Sequence, residues 1–493
     1  MSTAMKRGAG ILMHISSLPS PYGIGSLGEC AYEFADHLAE AGQTYWQVLP
    51  VGPTSYGDSP YQSFSSFAGN PYFIDIDMLI KDGLLNKGEV EQYDFGSDPG
   101  CVDYGRLFEN RFRLLEAAYK KSGHTEEYKQ FCMENQWWLE DYALFMSLKE
   151  RFNGRSWLDW EKDIKSREPE AVERYKDLLK ERIGFWGFCQ FQFYSQWKRL
   201  KSYVNEKGIL IIGDIPIYVA MDSADVWVNS SLFQMDEKKR PVSVAGVPPD
   251  VFSSTGQLWG NPLYDWERME KDGFAWWRSR IKHCAEIYDA VRIDHFIGIS
   301  RYYSIPEGSQ NAISGEWKEG PGRKLTDVFD EAIGSKSIIA EDLGVLHPSV
   351  VQLLEETGYP GMKVMLFGFD GDPDNDHLSK NFKENMIVYG GTHDNETIAG
   401  AFKDSSYDEI KYVLEYLQIS TKEQIPWAMI EAAYASPAIV AIFQMQDILE
   451  LDNSARMNTP STLGGNWCWR MKKGQFTQER IEKLKALVEK YNR

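Results

Sequence analysis

Cysteine is scarce in this sequence, with six residues in 493: Cys30, Cys101, Cys132, Cys189, Cys284 and Cys468. They are scattered, form no CxxC pair and have no closely spaced histidine, which excludes a disulfide scaffold and a cysteine-built zinc site. Free thiols are the expectation, and with them a reducing cytoplasm. Positive charge is also in short supply. Lys and Arg number 53 against 72 Asp and Glu, for a formal net charge of -19. Such a surface is a poor match for nucleic-acid phosphates or anionic lipid, both of which need clustered Lys and Arg. Neither nucleic acid nor a membrane is expected as a partner, and a neutral substrate is easier to accept. No stretch approaches the roughly 20 apolar residues of a membrane-spanning helix. Lys6 and Arg7 precede an apolar run from Gly8 to Met13, but His14 and the proline-broken Ser16 to Pro21 interrupt it, so no export signal is expected. No internal repeat, low-complexity tract or flexible linker is visible. What is present, 43% hydrophobic and 25% charged residues, describes a globular chain with a large core.

Short apolar runs that end in polar or glycine-rich turns alternate with longer helical patterns, the mark of parallel strands in an α/β fold. Eight are found: Gly10 to Ile15, Tyr45 to Val51, Ile209 to Ile217, Ala290 to Ile293, Ser337 to Ala340, Met362 to Phe367, Met386 to Tyr389 and Ile439 to Met445. Eight parallel strands predict a closed (β/α)8 TIM barrel with its chemistry in the loops leaving the carboxyl ends of the strands. The second and third runs are too far apart for one crossover helix, so residues 54–205 are expected to form an insertion. Much of it reads as helical, around Glu161 to Arg182 and Phe185 to Lys201. A second insertion, residues 220–280, follows the third strand. The expected organisation is one catalytic domain over 1–493, with helical insertions after strands 2 and 3 and no C-terminal β-sandwich, since the remainder ends in a helical pattern, Phe476 to Tyr491.

Four acidic residues close predicted strands: Asp214 in IIGDIPIYV, Asp294 in AVRIDHF, Glu341 in IIAEDLG and Asp394 in VYGGTHDN. One acid at a strand end is commonly a cap or turn residue. Four at the same face of one barrel converge on one pocket, where repulsion and burial push carboxyl pKa values apart and so divide acid from base roles. Glycoside cleavage needs such a division, with retaining enzymes holding the two carboxyls about 5 Å apart. Arg292 lies two residues before Asp294 on the same strand face, where its guanidinium keeps the carboxylate ionised and favours Asp294 as nucleophile. His393, Asp394, His295 and Asn395 invite a metal reading, but they lack any recognised ligand spacing, and hydrogen bonds to sugar hydroxyls need no metal. No phosphate loop or dinucleotide fingerprint appears, so no cofactor is expected. Trp259, Tyr56 and Tyr61 lie on predicted loops at the catalytic face, placed to stack on sugar rings. Trp137, Trp138, Trp276 and Trp277 sit on helical patterns and are expected in the core.

In this order, DIPIYV, VRIDHF, AEDLG and GTHDN resemble the four signature regions of the α-amylase superfamily. MHISSLPSPYGIGSLG, GDSPYQSFSSFAGNPYFID, GVPPDVFSSTGQLWGNPLYDW at Gly246 to Trp266 and RMNTPST at Arg456 to Thr462 narrow the match to the 4-α-glucanotransferases known as amylomaltases or disproportionating enzymes. The resemblance covers essentially the whole chain. It implies a nucleophile at Asp294, a general acid/base at Glu341 and a transition-state-stabilising carboxylate at Asp394. Asp214, Arg292 and His393 fall at positions that bind substrate or orient the nucleophile, and Tyr61, Gln257, Trp259, Asn458 and Pro460 at glucan-contact and covering-loop positions. Asp342, on the opposite strand face from Glu341, would be buried or paired instead. Ile15 departs from the proline that relatives carry there.

The implied reaction is a retaining double displacement that moves an α-1,4-glucan segment from a maltooligosaccharide or starch chain to the 4-hydroxyl of an acceptor glucan or glucose. The partners expected are donor and acceptor sugars. A plain α-glucan hydrolase with the same carboxylates is the nearest alternative, because water and sugar acceptors differ only in what the loops admit. A silent glucan-binding scaffold is the alternative from another class.

Overall fold

The structure is a computed structural model that describes residues 5–123, 125–249, 253–344 and 346–493. Residues 250–252, inside the Gly246 to Trp266 motif, lie outside the described residues.

The barrel strands are built from uninterrupted apolar runs because both of their faces are covered. β1 (Gly8–Leu12) and β12 (Val440–Gln444) are buried at every position. With β2 (Tyr45–Gln47), β3 (Leu210–Pro216), β6 (Ala290–Asp294), β9 (Ser337–Ala340), β10 (Gly361–Val364) and β11 (Met386–Tyr389) they form one parallel sheet in the order β10-β11-β12-β1-β2-β3-β6-β9. All eight correspond to the strands expected from sequence, the last residues of several runs passing instead into turns, as where Met365–Phe367 is a 3-10 turn after β10.

The sheet closes between β9 and β10, where the backbone ladder is thin because Pro360 has no N–H to give. Ala340 N–H donates to the Pro360 carbonyl at 3.0 Å. The rest of the seam is made by a side chain: Asp342 Oδ1 accepts from Met362 N–H at 2.6 Å. A Cβ on Gly361 would lie 2.5 Å from Asp342 Oδ2, so glycine is what lets the carboxylate reach across. Asp342 is thus buried and paired at the seam, as its place on the opposite strand face predicted.

Residues between β2 and β3 are largely helical. The 27-residue helix Lys180–Glu206 buries Phe185, Phe193, Trp197 and Leu200 against the helix Gln136–Arg151 and the barrel. Each such side chain fully withdrawn from water stabilises the fold by about 1.5–3 kcal/mol. The charge-rich stretch around 161–182 is broken into Lys162–Lys165 and Pro169–Leu178 by Arg167, whose φ of 57° ends the first turn. From the long helix, buried Gln190 bonds both the N–H and carbonyl of Gly69, at 2.7 and 2.9 Å, and Gln196 Oε1 accepts from Asp75 N–H at 2.7 Å. These amides pin the loop that carries Tyr61 toward the barrel mouth.

The stretch after β3 is less helical than expected. It holds β4 (Ser243–Val247) and β5 (Gln257–Pro262), which join β7 (Arg301–Pro306) and β8 (Glu316–Glu319) in a second, antiparallel sheet ordered β5-β4-β7-β8. This sheet stands beside the loop after β6 and carries Gln257 and Trp259. After β12 the chain ends in the helix Gln478–Tyr491, and no described residue there belongs to a further sheet. Trp138 and Trp277 are core as expected, but Trp137 is 53% exposed and Trp276 only partly buried.

Candidate active site

β3, β6 and β9 end side by side, which brings acids far apart in sequence to one rim. Asp214 pairs in register with Arg292, and Ile293 with Ala340, so Asp294 and Glu341 emerge from adjacent strands at one level. Asp214 is fully buried. Its Oδ2 accepts from Arg292 Nη1 at 2.6 Å and from the Tyr61 hydroxyl at 2.9 Å. Arg292 Nη1 also lies 3.1 Å from Asp294 Oδ1, so two carboxylates share one buried guanidinium. Burial opposes the arginine's charge, but Asp214 and Asp294 outweigh it and hold its pKa well above the ordinary value. Burial raises the pKa of Asp214, against the pull of Arg292. Asp294 itself is 29% exposed.

Glu341 follows β9 and is buried. Its Oε2 accepts from His295 N–H at 2.7 Å and its Oε1 from Leu343 N–H at 2.9 Å. His295 reaches that position with a left-handed backbone, φ 55°, an uncommon conformation for a non-glycine residue and one found at functional sites. Burial raises the Glu341 pKa to about 7; Asp294 adds to the rise, while Arg292 and the two backbone donors oppose it. One carboxyl held by a guanidinium and a neighbour raised to about 7 are two unlike acids of the kind glycoside chemistry uses.

Across the mouth, the turn after β11 presents His393 and Asp394. Asn395 Oδ1 closes the turn by accepting from the Thr392 N–H and hydroxyl at 2.8 and 2.9 Å. His393 is buried, with its ring stacked on Tyr61 at 5.0 Å and tilted against Trp467 at 5.8 Å. Asp394 Oδ2 lies 3.4 Å from His393 Nε2, and Oδ1 accepts from Asn458 Nδ2 at 2.6 Å. Arg456 fixes this arrangement by donating from Nη2 to the Asp394 carbonyl at 2.7 Å and from Nε to the Asn458 carbonyl at 2.8 Å. On the other flank, Trp259 meets the His295 ring edge to face at 4.8 Å and donates its indole N–H to Gln257 Oε1 at 3.1 Å.

Ten of the twelve residues singled out from sequence therefore form one connected set: Asp214, Arg292, Asp294, Glu341, Asp394, Tyr61, His393, Asn458, Gln257 and Trp259. Tyr56 is 99% exposed, and Pro460 lies in an exposed part of the 458–465 loop; neither makes a hydrogen bond or ring contact with that set. Sequence reasoning missed Arg456 and Trp467. Both lie in or beside the RMNTPST stretch, but Arg456 bonds backbone carbonyls, which no residue pattern signals. Among the described residues no group of three or more His, Cys, Asp or Glu side chains is arranged to hold a metal ion, and no helix is long and apolar enough to cross a membrane.

Comparison with known proteins points the same way. The 4-alpha-glucanotransferase family profile matches residues 13–477. A 4-alpha-glucanotransferase of Clostridium butyricum is 49% identical over 485 residues, 98% of this chain and 100% of that protein. The amylomaltase of Streptococcus agalactiae, solved in complex with acarbose, superposes with a TM-score of 0.96 at 44% identity, covering 99% of this chain and 100% of that one. The amylomaltase of Corynebacterium glutamicum shares the fold at 17% identity, with a TM-score of 0.80 over 98% of this chain and 75% of that one.

Proposed function

The chain belongs to the 4-alpha-glucanotransferase family, and from that premise and the site geometry we propose which side chains carry the transfer. The enzyme moves α-1,4-glucan segments from a maltooligosaccharide or starch donor to the 4-hydroxyl of an acceptor glucan or glucose, with retention through a covalent glycosyl-enzyme. Asp294 is the nucleophile. Its carboxylate oxygen bonds to the anomeric carbon as the glycosidic C–O bond breaks, and Glu341 gives its proton to the departing oxygen. In the second step Glu341, now a carboxylate, takes the proton of the acceptor 4-hydroxyl. That oxygen attacks the anomeric carbon, and the Asp294 ester bond breaks to restore the carboxylate.

The site's electrostatics support this cycle. Arg292, 3.1 Å from Asp294 Oδ1, holds that carboxyl in place for attack. Ester formation then neutralises Asp294, which removes one of the charges that raises Glu341 and lets it serve as a base. Asp394 hydrogen-bonds hydroxyls of the reacting glucose, and His393 and Asp214 orient the ring and Arg292. Tyr61, Trp259 and Gln257 line the approach to the site, and the loop bearing Asn458 and Pro460 covers it. Tyr56, standing in solvent, offers a stacking face to a chain entering the site. Excluding water and holding the acceptor sugar at high effective concentration favour transfer over hydrolysis. The derived steps call for no cofactor.

We treat the chain as one catalytic barrel domain with insertions at 54–205 and 220–280, placed in the cytoplasm, where its six free thiols persist. Nucleic acid and membrane are not among its partners on this reading; the acidic surface disfavours both.

The observation that carries the role assignment is the contrast between neighbours: Asp294 bonded to Arg292 at 3.1 Å, and Glu341 beside it raised to about 7. Trapping tests it. Glu341→Gln protein given α-glucosyl fluoride, whose leaving group needs no acid, accumulates a glucosyl ester on the peptide bearing Asp294, read by mass spectrometry. An ester on another residue would refute the assignment.

A further inference from the structure

A pocket of about 370 Å³ lies apart from the catalytic carboxylates, between the helix Gln136–Arg151, the loop that carries Tyr61, and the start of the helix Ala275–Ile287. That last helix leads into β6, so it runs against the strands, and its first turn stands at the end of the barrel where the chemistry is. The pocket is on the shoulder of the catalytic face.

Its lining is unlike a core crevice. Trp137 is 53% exposed at the edge, and Phe67 meets Trp137 and Trp276 edge to face at 4.8 and 6.2 Å. The Trp276 indole N–H has no acceptor. Three carboxylates, Asp141, Asp225 and Asp272, are among the lining residues, and no Lys or Arg is. Arg167 pairs with Asp141 at 2.6 Å, Ser66 N–H donates to Asp225 at 2.7 Å, and Ala275 N–H donates to Asp272 at 3.1 Å. A carboxylate accepts several hydrogen bonds and donates none, so further acceptor capacity remains. Indole faces beside surplus acceptors suit a neutral ligand with apolar C–H faces and many O–H donors, and the excess of carboxylates over cations disfavours an anion. A pyranose chain has that chemistry.

We propose that this pocket is a second α-glucan binding site, holding a distal segment of a long chain while another segment occupies the barrel mouth. The proposal rests on the transfer function above. Tethering raises the local concentration of chain ends at the active site, an advantage for polymers and none for a trisaccharide too short to span both places.

The test uses Trp137→Ala and Trp137→Phe in the whole enzyme. Removing the indole raises KM for soluble amylose about threefold to tenfold, as loss of one stacking contact implies, leaves maltotriose disproportionation unchanged, and is rescued by phenylalanine. Calorimetry with maltoheptaose on Asp294→Asn protein decides binding without turnover: two sites are expected, and one after adding Trp137→Ala. An unchanged amylose KM, or a single site in both proteins, overturns the second site. Loss of maltotriose turnover in the unaltered enzyme would instead overturn the transfer function, and the calorimetry would still decide the pocket.

Discussion

Asn458 donates to Asp394 Oδ1 across 2.6 Å, which ties the 458–465 loop to the turn after β11. Arg456 holds the carbonyls of both residues and so fixes the two together.

Arg456→Ala therefore loosens Asp394 and the loop together. Loss of two charge-assisted hydrogen bonds predicts a fall of about tenfold to a hundredfold in kcat for maltotriose. Arg456→Lys, which reaches one carbonyl at a time, falls between. A thermal melt close to that of the unaltered protein separates this from unfolding. Equal kcat in all three proteins would show that Arg456 has no positioning role.

If Glu341 is the acid, as proposed, it sets the alkaline limb of activity. With its pKa raised from 4.5 to about 7, the carboxyl holds its proton below that value and loses it above, so kcat/KM falls as pH rises through about 7. The same raised pKa means that Glu341 contributes to stability fully below pH 4.5 and that this contribution is lost as pH rises through about 7. In Asp294→Asn one raising charge is gone, and the Glu341 carboxyl titrates lower. Infrared difference spectra against Glu341→Gln measure both; an unshifted titration would separate the two carboxyls electrostatically.

Asp214 and Arg292 form a pair removed from water, at 0% and 4% side-chain exposure. Asp214→Ala leaves the guanidinium buried with only Asp294 to balance it, which predicts a loss of about 3–5 kcal/mol of stability by denaturant unfolding. Asp214→Asn keeps an acceptor and costs less. An alanine variant as stable as the parent would mean that water reaches this pair.

At the barrel seam, Asp342→Ala strands the Met362 N–H and predicts a loss of about 1–3 kcal/mol. Asp342→Asn retains the oxygen and is milder. The ranking of the two variants checks the seam, because a purely electrostatic role would penalise both alike.

The eight barrel strands were legible because strands covered on both faces are apolar throughout, and VAIFQ at β12 has no other good use. The acids at strand ends were legible because alternation fixes which face each takes, which separated Glu341 from Asp342. The second sheet was not: β5, QLWGNP, contains glycine, asparagine and proline, and β8, EWKE, is mostly exposed, so their pairing comes from neighbours and not from pattern. Trp137 was expected in the core because it lies on a helix beside buried Trp138. One position along a helix turns a side chain by about 100°, enough to leave it in the pocket on the shoulder. Arg456 was illegible for a different reason, since its partners are backbone carbonyls brought near only by the fold.

On the proposed mechanism, Asp294 and Glu341 transfer glucan chains to sugar acceptors. Incubating the purified protein with maltotriose and separating the products by chain length tests it most directly, with Asp294→Asn alongside. Glucose together with a ladder of longer maltooligosaccharides is expected, absent in the variant. Glucose and maltose without a ladder would contradict transfer, and an undiminished ladder from Asp294→Asn would contradict the nucleophile.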